Sequence, residues 1–299
     1  MRLEKINCCI CGADNTVSLG VRHSPDGNPG LKTSVVRCVS CGLIYPDPMP
    51  ILSDEEVQAN FGDPAGYFPG HVDDRRLARF DATVRSLEKF LPGKGKIFDV
   101  GCGRGELVYA AKRRGWKAKG SEISAAFARE ARDKFDVDVL EGDIRDMDIP
   151  QGEFDAVTLS SVIQYVSDPL GMLKKINTIL KPGGLLYLEV TNEDALVFAA
   201  GDLFSSIVRR SKTTTRLSPL FPSFQIYGFN KNSLSKALKV CGFDVMYIRA
   251  SGLSGGGSVK GAGGLNKVIN HIRKVIIFTG GIVGMGHVIY CFARKEISV

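Results

Sequence analysis

From residue 96 onward, short apolar runs alternate with stretches whose apolar residues recur every three or four positions. Runs at 96–100, 116–122, 137–143, 154–161, 185–190, 243–248 and 287–294 read as strands. Between them, a helical pattern opens at 106–111, and 125–135, 169–180 and 232–241 read as helices. Ser124 and Asp168-Pro169 have the chemistry of helix starts, Lys181-Pro182-Gly183-Gly184 that of a stop, and Gly242 that of a residue just past an end. Alternating strands and helices predict a mostly parallel sheet covered on both faces. An earlier helix, 75–91, puts Leu77, Phe80, Val84, Leu87 and Leu91 on one stripe.

Three stretches break the pattern. Residues 191–228 hold an apolar segment followed by Arg209, Arg210, Lys212 and Arg216, placed to cover the strand tips and shape an acceptor site. Residues 251–264 contain seven glycines and no acid, a loop without the strand that a phosphate cradle requires. Residues 43–74 combine a proline-stiffened exit, a capping-box pattern at Ser53-Asp54-Glu55-Glu56, and Phe61, Tyr67, Phe68 and His71 among glycines and prolines. After the glycine loop, 265–278 is a basic amphipathic helix whose stripe (Leu265, Val268, Ile269, Ile272, Ile276) is expected to pack on the sheet, with contact to a membrane as the alternative. Residues 275–292 are apolar but carry four glycines and His287, a poor membrane span.

The N-terminal residues 1–50 obey a different logic. Cys8-x-x-Cys11 and Cys38-x-x-Cys41 are each followed by glycine, with turn-formers at 25–30 and a strand-like 33–37 between them. Two such knuckles suit a closed tetrahedral zinc site with Cys8, Cys11, Cys38 and Cys41 as ligands, a zinc ribbon. Four thiolates leave no open position, so the zinc is structural. Cys9 adjoins Cys8, but Cys8 has the regular spacing. Eight cysteines and no apolar core at the N-terminus point to a reducing cytoplasm.

The strand at 96–100 runs into Asp99-Val100-Gly101-Cys102-Gly103-Arg104-Gly105 and then a helix. Glycines let a ligand approach the backbone where the helix amides point outward. A dinucleotide fingerprint would need glycine at Glu106, and a pyrophosphate would meet Asp99 and Glu106 unfavourably. An acid before the turn suits a ligand carrying an ammonium group. Glu122, 23 residues after Asp99 and at the tip of the next strand, can accept from both hydroxyls of a ribose.

This stretch resembles motif I of class I S-adenosylmethionine-dependent methyltransferases, D-x-G-x-G-x-G, which Asp99, Gly101, Gly103 and Gly105 match residue by residue. The resemblance implies a Rossmann-like α/β fold: a seven-stranded methyltransferase sheet with helices on both faces, plus the small N-terminal zinc ribbon. It implies S-adenosylmethionine as cofactor, bound by Asp99, Gly101, Cys102, Gly103, Gly105, Glu122, Ile123, Asp143, Ile144 and Ser160. Glu122 takes the ribose role, Asp143 and Ile144 the adenine position, and Ser160 faces the methionine end. The layout implied is a ribbon at 1–50, a linker and helical lid at 51–92, and a methyltransferase domain at 93–299 with a substrate-cap insertion at about 191–228.

The whole chain is similar to bacterial methyltransferases with an N-terminal zinc ribbon, many of them found with cell-surface polysaccharide or natural-product pathways. That implies methyl transfer to a small-molecule or glycan acceptor, a hydroxyl of a sugar or related metabolite. Two departures stand out: Gln164-Tyr165-Val166 replaces the Glu-His-Val of many relatives, and no histidine adjoins Gln225. Both remove groups that could serve as base or metal ligand. His71, His287, Tyr67, Tyr165 and Tyr227 remain candidates for a general base, and none sits in a motif, so no catalytic residue is named.

Charge adds one element. Residues 195–299 carry 14 Lys and Arg against three acids, whereas the first 194 residues are slightly acidic. The basic third would face an anionic or lipid-linked acceptor, or a membrane surface touched peripherally. A ribosomal RNA methyltransferase with a zinc ribbon, and a non-catalytic cofactor-binding scaffold, stay open as other readings.

Overall fold

The computed structural model describes residues 2–22, 34–51, 74–209, 213–217, 225–252 and 264–297. The turn-formers at 25–30, the 53–56 capping box, Phe61, Tyr67, Phe68 and His71, and most of the glycine loop lie outside the described residues.

The chain begins with β1 (Arg2–Glu4), β2 (Thr16–Arg22), β3 (Ser34–Cys38), β4 (Ile44–Asp47) and β5 (Met49–Ile51), followed by helix α1 (Asp74–Glu88). The alternating region then runs β6 (Lys96–Val100), α2 (Glu106–Arg113), β7 (Lys117–Glu122), α3 (Ala125–Phe135), β8 (Asp138–Glu141), β9 (Phe154–Ser160), α4 (Pro169–Ile179) and β10 (Leu180–Thr191). It closes with α5 (Leu196–Arg209), β11 (Thr213–Thr214), α6 (Lys231–Val240), β12 (Phe243–Ser251), α7 (Gly264–Ile282) and β13 (Val288–Lys295).

Seven strands form one sheet in the order β12-β13-β10-β9-β6-β7-β8. β6 to β10 are mutually parallel, and β13 is antiparallel to both β10 and β12. The chain steps outward through β6, β7 and β8 and returns to β9 on the other side of β6. This reversal opens a crevice at the carboxyl ends of β6 and β9. Side chains alternate across the sheet as the pleat requires. On β10, Leu186, Leu188 and Val190 join the cluster under α4 and α6, while Leu185 and Tyr187 join the one under α1 and α2.

Local chemistry accounts for the element ends. Asp168 accepts from the Gly171 amide at 2.8 Å and Pro169 opens α4. α6 starts one residue earlier than its sequence suggests. Asn230 caps it reciprocally with Ser233, the two hydrogen bonds being 2.8 and 3.0 Å. α4 stops at Ile179 as expected, and the stop residues form a bulge inside β10, where the register shifts between Leu180 and Leu185. The close approach there needs glycine, since a Cβ at Gly184 would lie 2.9 Å from the Lys181 carbonyl.

β2, β3 and β4 form an antiparallel sheet, to which β11 of the 191–228 stretch adds in parallel beside β2. Cys8, Cys41, Leu43, Tyr45 and Met49 are buried in the same apolar cluster as α4 and α6. Polar contacts follow the same seam. Ile44 and Gly228 exchange backbone hydrogen bonds, Asn232 donates to the Cys41 carbonyl at 3.0 Å, and Arg37 pairs with Asp194 at 2.7 Å.

Of the expected α7 stripe, Ile276 is half-buried and the helix contacts β12, but Ile272 is 53% exposed; the side chains of Leu265, Val268 and Ile269 lie outside the described residues. Among the described residues, no helix is long and apolar enough to cross a membrane.

Candidate active site

A cleft of about 500 Å³ opens at the crevice, lined by the tips of β6, β7 and β9, the residues after β8, and α1. The glycine turn defines its floor. Gly101, Gly103 and Gly105 all have left-handed backbone, at φ 66°, 54° and 78°. A Cβ at Gly101 would lie 2.5 Å from Val162, whereas one at Gly103 would meet nothing and would fill the cleft itself. Gly105 does not line the cleft. Its Cβ would press on Ala131 and Val137, so it serves the packing of the turn on α3. The other predicted residues (Asp99, Gly101, Cys102, Gly103, Glu122, Ile123, Asp143, Ile144 and Ser160) do line it.

Two acids face each other across the turn. Asp99 is buried and accepts from Thr158 Oγ1 at 2.6 Å. Burial, reinforced by the charges of Glu122 and Glu106 and opposed by the Thr158 hydrogen bond, pushes its carboxyl up to about 7. Glu122 accepts from the Gly103 amide at 2.9 Å and from the Ser124 amide at 3.0 Å, which fixes its carboxylate at the β7 tip. Burial raises its carboxyl too, against those amides. Near Ile144 and Phe127, Asp143 is held by the Arg145 amide at 2.8 Å and by its guanidinium. Burial would raise the Asp143 carboxyl, but Arg145 outweighs it and holds it below the ordinary range.

The far end of the cleft brings the base candidate Tyr165 together with residues that sequence reasoning missed as site residues. Arg76, Arg79 and Phe80 project from α1, and Ser161, Gln164, Tyr165 and Thr191 follow the β9 and β10 tips. Arg79 reaches Glu189 at 2.5 Å, and Arg76 reaches Glu106 at 3.0 Å. The signal for the arginines was their three-residue spacing on the polar side of a helix read only for its apolar stripe. Ser161 adopts φ 58°, uncommon for a side-chain-bearing residue. Gln164 is 2% exposed; its Nε2 donates to Thr191 Oγ1 at 3.4 Å and its Oε1 has no partner among the described residues. A buried carbonyl oxygen at the wall of a cleft is a ready acceptor for a ligand hydroxyl or ammonium.

Of the base candidates, Tyr165 alone among the described residues lines the cleft. Tyr227 is buried elsewhere and donates to the Ser167 carbonyl, and burial raises its phenol. His287 packs against Phe198 with ring centroids 5.3 Å apart, and burial lowers its pKa.

The four knuckle cysteines converge away from this cleft. Cys8 and Cys41 have sulfurs 3.5 Å apart, as do Cys11 and Cys38, and all four sulfurs lie within 4.8 Å of one another. Tetrahedral zinc at ~2.3 Å from each sulfur needs S···S separations of about 3.8 Å, so this donor set fits the ion. Cys9 stands outside the group, and burial pushes its thiol up to about 12.

An open α/β sheet with a glycine turn and two strand-tip acids at its switch point places the cleft where folds of this kind bind their ligands. Comparison with known proteins narrows the class: residues 98–188 match the methyltransferase domain family. The chain therefore contains a methyltransferase domain, with the fold of the S-adenosylmethionine-dependent methyltransferases. It is 32% identical over 126 residues to the ubiquinone biosynthesis O-methyltransferase of Xanthomonas campestris pv. campestris strain B100. That match covers 40% of this chain and 52% of the relative, so the chain spans about half the length of the curated relatives it matches. Its fold is shared with the cyclase SpnF (TM-score 0.52, 15% identity, 84% of this chain and 99% of that one). A methyltransferase structure from Methanosarcina mazei is also similar (TM-score 0.50, 16% identity, 71% and 98% coverage).

Proposed function

We propose that the protein transfers the methyl group of S-adenosylmethionine to a hydroxyl of a small-molecule or glycan acceptor. The supporting observation is the meeting of Asp99, Glu122 and the open face of Gly103 in one cleft. When bound, the cofactor supplies an electrophilic sulfonium methyl. In this reading Glu122 accepts from the ribose hydroxyls, Asp99 faces the ammonium end, and Ile144 and Phe127 flank the adenine. Ser160, Ser161 and Gln164 border the acceptor, and α1 closes over both. Positioning and exclusion of water are the main tasks left to the protein. The relative named for ubiquinone biosynthesis places quinol-like hydroxyls beside sugars among acceptors to test.

The same reading makes residues 1–50 a structural zinc ribbon, 51–92 a linker and lid, and 93–299 the methyltransferase domain capped by about 191–228. The cytoplasm is the compartment proposed, because the eight cysteines are all unpaired in disulfide terms. The test is methyl transfer from labelled S-adenosylmethionine to nucleotide sugars, lipid-linked glycans and quinols, with RNA as a control. Label on RNA alone would overturn the small-molecule reading.

Cofactor binding should depend on pH through Asp99. A cationic ligand favours the carboxylate, so affinity is full above about 7 and falls roughly tenfold per pH unit below it. Stability of the ligand-free protein runs the other way. The folded state holds the Asp99 proton more tightly than the unfolded chain does, near 3.9. Its contribution is therefore greatest below about 4 and is lost as pH rises through about 7. Calorimetric titrations across this range, with wild type and Asp99→Asn, check the point. An unchanged slope in the variant would assign the effect to another group.

A further inference from the structure

We propose that α5 and α7 form a docking face for an anionic lipid bilayer, beside the mouth of the cleft. The two helices pack on each other. Their inner sides are ordinary: Phe198 on α5 and Gly280 on α7 are buried. Their outer sides are not. Phe204 and Ile207 on α5 are 67% and 69% exposed, and Phe278 and Ile282 on α7 are 64% and 71% exposed. Leu203, Ile272 and Val275 are more than half exposed as well. On each helix these residues recur at three- or four-residue intervals, so they form stripes and not scattered exceptions. Contiguous apolar surface of this kind marks an interaction site.

Charge selects the occupant. In sequence, α7 contains Lys267, Arg273 and Lys274 and no acid, Lys274 being exposed among the described side chains, and the basic residues Arg209, Arg210 and Lys212 come at and after the end of α5. The three acids after residue 194 are engaged in other pairs. Asp202 binds Arg216 at 2.9 Å, and Asp244 and Glu296 both bind Lys239. An apolar stripe on a segment rich in bases and free of unpaired acids matches the boundary of an anionic bilayer, where the stripe enters the acyl region and bases meet headgroup phosphates. A second copy of the chain fits worse, because a two-fold contact would set one base-rich segment against another.

The face also stands at the catalytic end of the sheet. Thr191, which lines the cleft, pairs with Val288 at the start of β13. Asn192 Nδ2 donates to the Gly286 carbonyl at 2.7 Å, and the Leu196 amide to the Met285 carbonyl at 3.0 Å. These bonds tie the first turn of α5 and the exit of α7 to the strand tip. A bilayer beneath the helices would lie next to the acceptor end of the cleft.

The test is co-sedimentation of the zinc-loaded full chain with phosphatidylcholine vesicles, with and without phosphatidylglycerol. Binding is expected on the phosphatidylglycerol vesicles, at least about tenfold weaker on phosphatidylcholine alone, and weakened by salt. Phe204→Ser/Phe278→Ser should lose binding by at least about tenfold on the anionic vesicles, with its S-adenosylmethionine affinity and melting temperature retained. Lys267→Glu/Lys274→Glu should abolish the preference for anionic lipid. Equal sedimentation of wild type and the double-serine variant would overturn the proposal. So would a wild-type dimer in light scattering that the double-serine variant converts to monomer, since a second copy would then cover the face.

Discussion

Glu122→Ala should weaken S-adenosylmethionine binding by on the order of a hundredfold, read by calorimetry on folded protein. Two losses combine. The carboxylate is the only acid at the β7 tip able to accept from adjacent ribose hydroxyls, and hydrogen bonds to a charged acceptor contribute about 1.5–3 kcal/mol each. It also accepts from the Gly103 and Ser124 amides, so its removal releases the glycine turn that leaves room for the ligand. Global stability should change far less. Burial already disfavours the charged form of Glu122, and water entering the cleft can satisfy the freed amides. Glu122→Gln keeps one acceptor oxygen and should lose about tenfold. Affinity within threefold of wild type for Glu122→Ala would sink the assignment of this cleft to the cofactor.

Cys41→Ser should release the metal and destabilise much more than the ribbon. A structural zinc site of this donor type supplies on the order of 10 kcal/mol of binding free energy in isolated fingers, and folding depends on it. Here the knuckle is built into the rest of the protein. Cys41 is fully buried, its carbonyl accepts from Asn232, and the next residue, Gly42, lies against the Asn230 amide that caps α6. Loss of the ion should therefore loosen the start of α6 together with β2–β4. The expected readouts are one zinc per chain in wild type, little in the variant, a lowered melting temperature, and new protease cleavage within 2–51. Cys9→Ser should keep its zinc. Full zinc content and an unchanged melt for Cys41→Ser would refute the site.

The strands, the glycine turn, Glu122 and the paired cysteines were legible because each depends on local rules: a short apolar run, a left-handed turn, a two-residue gap between thiols. What the sequence could not reveal depends on distant partners. The polar face of α1 gives no sign that Arg76 and Arg79 border the cleft, because 20 or more residues separate them from the turn they approach. Gln164 reads only as the loss of an acid until its carbonyl oxygen is found buried without a partner among the described residues. The amphipathic stripe of α7 was legible as a stripe, yet periodicity alone does not tell inward from outward, and Ile272 faces out. Gly105 matched the motif but packs on α3, since the motif requires a left-handed residue there for the turn itself.

The place of β13 has a consequence for synthesis. Chain order would lay β12 beside β10, but β13 lies between them and bonds to both. While the ribosome is still making α7, β10 has an unpaired edge and β12 has no partner in the sheet. The nascent chain thus carries an open, apolar strand edge until the segment Val288–Lys295 clears the exit tunnel. A stall in that interval leaves a template for wrong pairing, which makes completion of β13 the step that commits the sheet.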